Sequence, residues 1–228
     1  FALSTTARRT ADGFVLDGLK ALVPRGGDAE LLLVAAQLED RGPALFLVAP
    51  AEVSGVEARP APAMGIRAAA TADLRFDQVE LPESALIGEA DPKVYAEAIR
   101  RARLAWCALA VGTSRAVLDY AIPYVKERSA FGEPIAHRQA VAFAISDIAI
   151  ELEGMHLLTL RAASRADAGK SIARDVALAR RQCAELGAKI GSEGVQILGG
   201  HGFVKEHPVE RWYRDLRAVG VMEGALLV

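Results

Sequence analysis

Cysteine, tryptophan and methionine are scarce in this 228-residue sequence, which holds two, two and three of them, and aromatics make up only 6%. Two cysteines cannot build the dense disulfide framework of a small secreted domain. Cys107 and Cys183 each fall in a helix-like apolar pattern, far apart along the chain and without a spaced ligand partner. They read as reduced core thiols of a cytoplasmic protein. A charge excess is also missing, with 27 Lys and Arg against 29 Asp and Glu. That balance offers neither a basic footprint for nucleic acid nor an acidic tail. No apolar run approaches the roughly 20 residues that span a bilayer, and Phe1 opens no signal segment. There is no initiator Met, and "FALSTTARRTADGF" reads as the middle of a longer chain.

What is present is 52% hydrophobic and 25% charged residues, enough for one large domain or two small ones with real cores. The expected partner is a small molecule or another protein. From residue 1 to about 90 the texture is that of short strands. "GFVLDGLKALV" carries Asp17-Gly18 between apolar runs, which predicts a hairpin turn, and "AELLLVAAQL", "ALFLVAP" and "ADLRFDQVELP" follow. From residue 91 onward the period changes. Val141, Ile145, Ile148, Leu152 and Met155 recur at helical spacing, as do Ile172, Val176, Ala179, Cys183, Leu186 and Ile190. Helices are predicted over about 92–126, 137–168, 171–197 and 208–219, the last opened by Pro208. Short links such as "DAGKS" predict an antiparallel packing. The expected fold class is therefore α+β: a small β-sheet or barrel domain, residues 1–90, followed by an antiparallel four-helix bundle, residues 91–228. Both apolar stripes read as core.

Three stretches break the helical texture. In "YVKERSAFGEPIAHRQ" a long helix stops at Arg128, whose guanidinium fork suits phosphate oxygens, and Gly132 and Pro134 turn the chain back. By residue type alone the segment serves equally well as a surface turn. In "VQILGGHGFVKEHPVER", Gly199, Gly200 and Gly202 crowd between two helices, where backbone N–H groups can meet a ligand or merely cap a helix. His201 and His207 lack the spaced partners of a metal site and read as turn or surface histidines. In "VMEGA", Glu223 stands among apolar residues, where partial desolvation suits a general base. For such a residue an exposed loop carboxylate is the commoner case.

Taken together, "ERSAFGEPIAHRQ", "QILGGHGF", "HPVERWYRD" and "MEG" resemble the acyl-CoA dehydrogenase family in order and spacing. Upstream, "FVLDGLK", "GIRAAAT" and "LRFDQVELPESALIG" are similar to that family's middle β-domain, and the family places a helical domain before Phe1. The resemblance implies an FAD enzyme that removes two hydrogens across Cα–Cβ of an acyl-CoA substrate. Glu223 corresponds to the catalytic base, whose own backbone N–H, with a flavin ribityl hydroxyl, steadies the thioester oxygen. Arg128, Phe131 and Gln139 match positions that contact FAD across a subunit interface, and Gln196, Gly199 and Gly200 match others reaching the dinucleotide from the neighbouring chain. Arg103 matches an arginine close to the base, and with Gly224 it falls to the substrate side. A homotetramer or dimer is implied, or a heteromer, with electron-transfer flavoprotein as acceptor.

The match departs from the family's pattern at Leu22, Val23 and Pro24, where a Trp, an apolar residue and a Thr or Ser are usual, and at Ala69 and Ala225. Pro24 has neither N–H nor hydroxyl to offer a flavin. The departures keep two alternatives open: a non-catalytic or half-site partner subunit, and an acyl-CoA oxidase that passes electrons to oxygen.

Overall fold

The computed structural model describes residues 3–39 and 41–223. In chain order the elements are β1 (Thr6–Arg9), β2 (Gly13–Val23), β3 (Leu32–Leu38), β4 (Gly42–Val48), β5 (Val56–Pro60), β6 (Ala72–Pro82) and β7 (Leu86–Ile87), then α1 (Pro92–Glu127). After α1 come the two-residue strands β8 (Ser129–Ala130) and β9 (Glu133–Pro134), then α2 (Gln139–Asp167), α3 (Ala173–Leu198), the single turn α4 (Gly200–Phe203) and α5 (Val209–Val219). The chain divides into two compact units, Phe1–Ala63 with Arg67–Ile99, and Met64–Ile66 with Arg100–Val228. The α+β class expected from the change of period is what the structure shows.

The first unit is one seven-stranded sheet of order β5-β6-β2-β1-β3-β4-β7. Alternation builds it: along β6, Ala72, Leu74, Phe76, Val79 and Leu81 are buried while the residues between them face solvent. Phe14 and Phe46 meet edge-to-face at 5.1 Å in its core.

Asp17-Gly18 is not a turn, contrary to the hairpin expected from the dipeptide. Here β2 runs unbroken through it for 11 residues, with a register shift against β6 between Leu16 and Gly18. The reason lies across the sheet. Asp17 accepts hydrogen bonds from the Gln78 backbone N–H (2.8 Å) and side-chain amide (2.6 Å), which pins a bulge. Gly18 has φ +139°, and a Cβ there would lie 2.6 Å from the Thr5 Cα, so glycine is needed for the close approach.

In the second unit Ile148, Leu152 and Met155 of α2 meet Ala179, Cys183 and Ile190 of α3 and Leu216 of α5 in one core. Each fully buried aliphatic contributes roughly 1.5–3 kcal/mol. Both apolar stripes are therefore core. Gly191 lets α5 come close to α3, since a Cβ there would lie 2.9 Å from the Tyr213 Cα. At the start of α3, buried Asp175 is clamped by Arg161 and Arg165 of α2, each at 2.9 Å. Among the described residues, no helix is long and apolar enough to cross a membrane.

Candidate active site

α1 stops at Glu127, and the chain reverses in a tight hairpin between β8 and β9. Its two loop residues, Phe131 (φ +58°) and Gly132 (φ +85°), both take the left-handed backbone that such a hairpin favours. Phe131 is thereby held 93% exposed, with the Arg138 guanidinium 5.5 Å from its ring centre. Arg128 and Gln139, on either side, are exposed as well.

Some seventy residues later α3 ends at Leu198, and Gly199 turns the chain with φ +57° into α4. Gln196, Gly199 and Gly200 are exposed, and a Cβ on either glycine would meet open space. The structure brings this turn beside the Arg128 turn through Tyr124, one helical turn before Arg128. The Tyr124 hydroxyl lies 3.3 Å from the Leu198 carbonyl oxygen and 2.8 Å from His201 Nδ1. Tyr120 pairs in the same way with His207 Nδ1 at 2.8 Å, and the two imidazoles stack at 5.0 Å. His201 and His207 are therefore ring partners of two tyrosines, a link that sequence patterning missed.

These groups fit the FAD expected of them. A guanidinium fork suits a pyrophosphate, an exposed ring and side-chain amides suit a nucleotide, and unobstructed glycines let a backbone N–H approach an oxygen. Among the described residues no cluster of three or more His, Cys, Asp or Glu is placed to hold a metal ion.

Glu223 lies half-buried in the turn that follows α5, at φ +57°, a left-handed backbone that is costly for a residue with a side chain. Two arginines hold the chain there. Arg103 of α1 donates to the Glu223 carbonyl oxygen at 3.2 Å, and Arg180 of α3 donates to the Met222 carbonyl oxygen. Arg180 is only 2% exposed. Burial pushes its guanidinium below the usual arginine range, and the approach of Arg103 adds to this, while Glu223 opposes it. The sequence signal for Arg180 was its place on the buried face of α3, four residues after Val176 and three before Cys183. Gly224 and Ala225 lie outside the described residues.

Beneath the arginines sit the two cysteines, both free and fully buried. The Cys183 thiol lies 3.9 Å from the Cys107 carbonyl oxygen, so residues far apart in sequence are neighbours across α1 and α3. Its hydrogen bond to Cys183, and then burial, raise the Cys107 thiol well above the ordinary range.

In the sheet unit, the departures from the family pattern gather at one rim. The Arg25 N–H donates to the Ala69 carbonyl at 2.7 Å, and Val23 pairs with Ala72, so Leu22, Val23, Pro24 and Ala69 are brought together. Leu22 has φ +52° and gives its N–H to Asp73 (2.9 Å). A cavity of about 700 Å3 opens there, lined among others by Gly27, Asp28, Arg67 and Thr71.

Comparison with known proteins bears on these features. Residues 93–226 match the acyl-CoA dehydrogenase C-terminal domain, and residues 1–79 match the acyl-CoA dehydrogenase middle domain. The short-chain specific mitochondrial acyl-CoA dehydrogenase of Bos taurus is 37% identical over 230 residues, a match that covers 98% of this chain and 56% of that relative. The caffeyl-CoA reductase-Etf complex subunit CarC of Acetobacterium woodii is 33% identical, over 97% of this chain and 60% of that one. Among solved structures, butyryl-CoA dehydrogenase from Megasphaera elsdenii superposes with a TM-score of 0.87 at 29% identity, covering 97% of this chain and 60% of its own. The chain thus spans little more than half the length of such relatives. With both of its parts matched in order, and with sheet and helices alike superposing on solved members, the chain belongs to the acyl-CoA dehydrogenase family.

Proposed function

We propose that this chain is the greater part of an FAD-dependent acyl-CoA dehydrogenase in which Glu223 removes the α-proton of an acyl-CoA thioester. The observation that carries the reading is the turn after α5, where Arg103 and Arg180 hold the peptides on both sides of a half-buried carboxylate. A backbone so held fixes the point from which the carboxylate reaches out, and proton abstraction from carbon needs a positioned base. As the proton leaves, negative charge grows on the thioester oxygen, and the Glu223 backbone N–H is the proposed donor to it. FAD, when bound, supplies the acceptor for the β-hydrogen, which departs as hydride.

Arg128, Phe131, Gln139, Gln196, Gly199 and Gly200 would hold the dinucleotide, Arg128 at the pyrophosphate, and since the family positions they match reach the flavin of a neighbouring subunit, they would serve the site of a second copy. Oligomerisation, as a dimer or homotetramer, is then part of the site. Gly224 and Arg103 belong to the substrate side. The relation to a subunit of an Etf complex favours electron-transfer flavoprotein as acceptor. The two free thiols suit a reducing compartment such as the cytoplasm. A short acyl chain is the favoured substrate class, since the Bos taurus and Megasphaera elsdenii relatives are named for short-chain and butyryl thioesters.

Glu223→Gln in the intact protein tests this. It should keep the yellow flavin and lose its bleaching by butyryl-CoA, and undiminished bleaching would sink the proposal. A second reading rests on Pro24, which offers no N–H at the sheet rim: the chain lends its Arg128 and Gln196 turns to the flavin of another subunit. One FAD per chain with turnover in the protein alone would exclude it.

A further inference from the structure

We infer that Arg180 is a positioning residue that orients and polarises the Glu223 backbone N–H, through its grip on the Met222 carbonyl. This rests on the reading of Glu223 given above. In a trans peptide the C=O of one residue and the N–H of the next lie in one plane and point in opposite directions. The Met222 oxygen and the Glu223 N–H belong to the same plane. A guanidinium bonded to that oxygen therefore fixes where the N–H points, namely away from α3. It also draws electron density toward the oxygen, which makes the N–H a stronger donor; a charged partner in a water-poor setting enhances this coupling.

The geometry divides the work between two cations. Arg180 holds the peptide before the Glu223 Cα and Arg103 holds the carbonyl after it, so the two together set both backbone torsions and with them the direction of the Cα–Cβ bond. The left-handed φ of +57° at a glutamate is a conformation that needs such restraint. The roles differ in kind. Arg103 steadies the carboxylate's own residue, whereas Arg180 acts on the peptide that carries the proposed oxyanion donor. Arg180 interrupts the apolar face of α3 among Val176, Ala179 and Cys183, where a side chain serving stability alone would be aliphatic.

The test uses acetyl-CoA, which has α-hydrogens and no β-carbon, so proton transfer is read without oxidation. In the intact protein in D2O, the wild type should exchange the acetyl hydrogens, and Glu223→Gln should not. Arg180→Met and Arg180→Gln should slow exchange about 10-fold to 100-fold, equivalent to about 1.4–2.7 kcal/mol. Arg180→Lys should restore most of it. The infrared carbonyl band of bound [1-13C]acetyl-CoA should move to lower frequency in the wild type, by less in the Met and Gln variants, and nearly fully in the Lys variant. A purely packing role for Arg180 would leave that band in place. Should Arg180→Met fail to fold, Arg180→Gln carries the same test, because it keeps a polar group on the buried face of α3 while removing the cation and its reach to the Met222 carbonyl. Wild-type exchange and a band at the wild-type frequency in Arg180→Gln, with Glu223→Gln inactive, overturn the inference alone. Equal exchange by Glu223→Gln removes the reading of the base and this inference with it.

Discussion

The Tyr124 hydroxyl meets the Leu198 carbonyl oxygen at 3.3 Å, tying the last turn of α1 to the last turn of α3. When that hydroxyl points to Leu198, its oxygen accepts from His201, which must then carry its proton on Nδ1. One phenol thus joins the Arg128 hairpin to the Gly199 turn.

Tyr124→Phe should cost about 1 kcal/mol, the net worth of a hydrogen bond, seen as a lower urea midpoint at unchanged slope. If the two turns share a dinucleotide, the same variant should also lose flavin faster on dialysis, measured as the flavin-to-protein absorbance ratio.

Arg128→Leu should leave folding intact, because the side chain is exposed. Flavin affinity should fall at least about tenfold, the loss of one charge-assisted contact to phosphate. Titration with FAD, followed by flavin fluorescence quenching, measures it.

Asp175→Asn removes the carboxylate that Arg161 and Arg165 clamp at the head of α3. Because both arginines are partly in water, the expected loss is about 1–2 kcal/mol. It should shrink in high salt less than that of a surface pair, since Asp175 itself is buried. Thermal melts at two salt concentrations test this.

Gly191→Ala places a methyl 2.9 Å from the Tyr213 Cα, a backbone atom that cannot rotate aside. The expected cost is about 1–3 kcal/mol, with α5 pushed outward. Since α5 leads into the Glu223 turn, exchange of acetyl-CoA hydrogens in D2O should slow too.

The helices were legible because apolar residues at a spacing of three and four define a face: Ile148, Leu152 and Met155 are buried as that pattern requires. The turns were legible by composition, as at Gly199. Asp17-Gly18 misled because one dipeptide serves both a hairpin and a bulge, and Gln78, 61 residues away, decides between them. Arg180 escaped notice because its partner carbonyl lies 42 residues downstream, and carbonyls leave no mark in a sequence. Tyr124 escaped for the same reason, with Leu198 74 residues away.

The two sulfurs beneath the arginines give the protein an internal clock for its own opening. Neither Cys107 nor Cys183 touches solvent. An alkylating reagent can reach them only when α1 and α3 part, and that parting also removes the Cys183 contact and the burial that raise the Cys107 thiol, so the exposed sulfur reacts as an ordinary thiol. Pulsed alkylation read by mass would therefore time the separation of these two helices, with no label added near the glutamate whose aim depends on them.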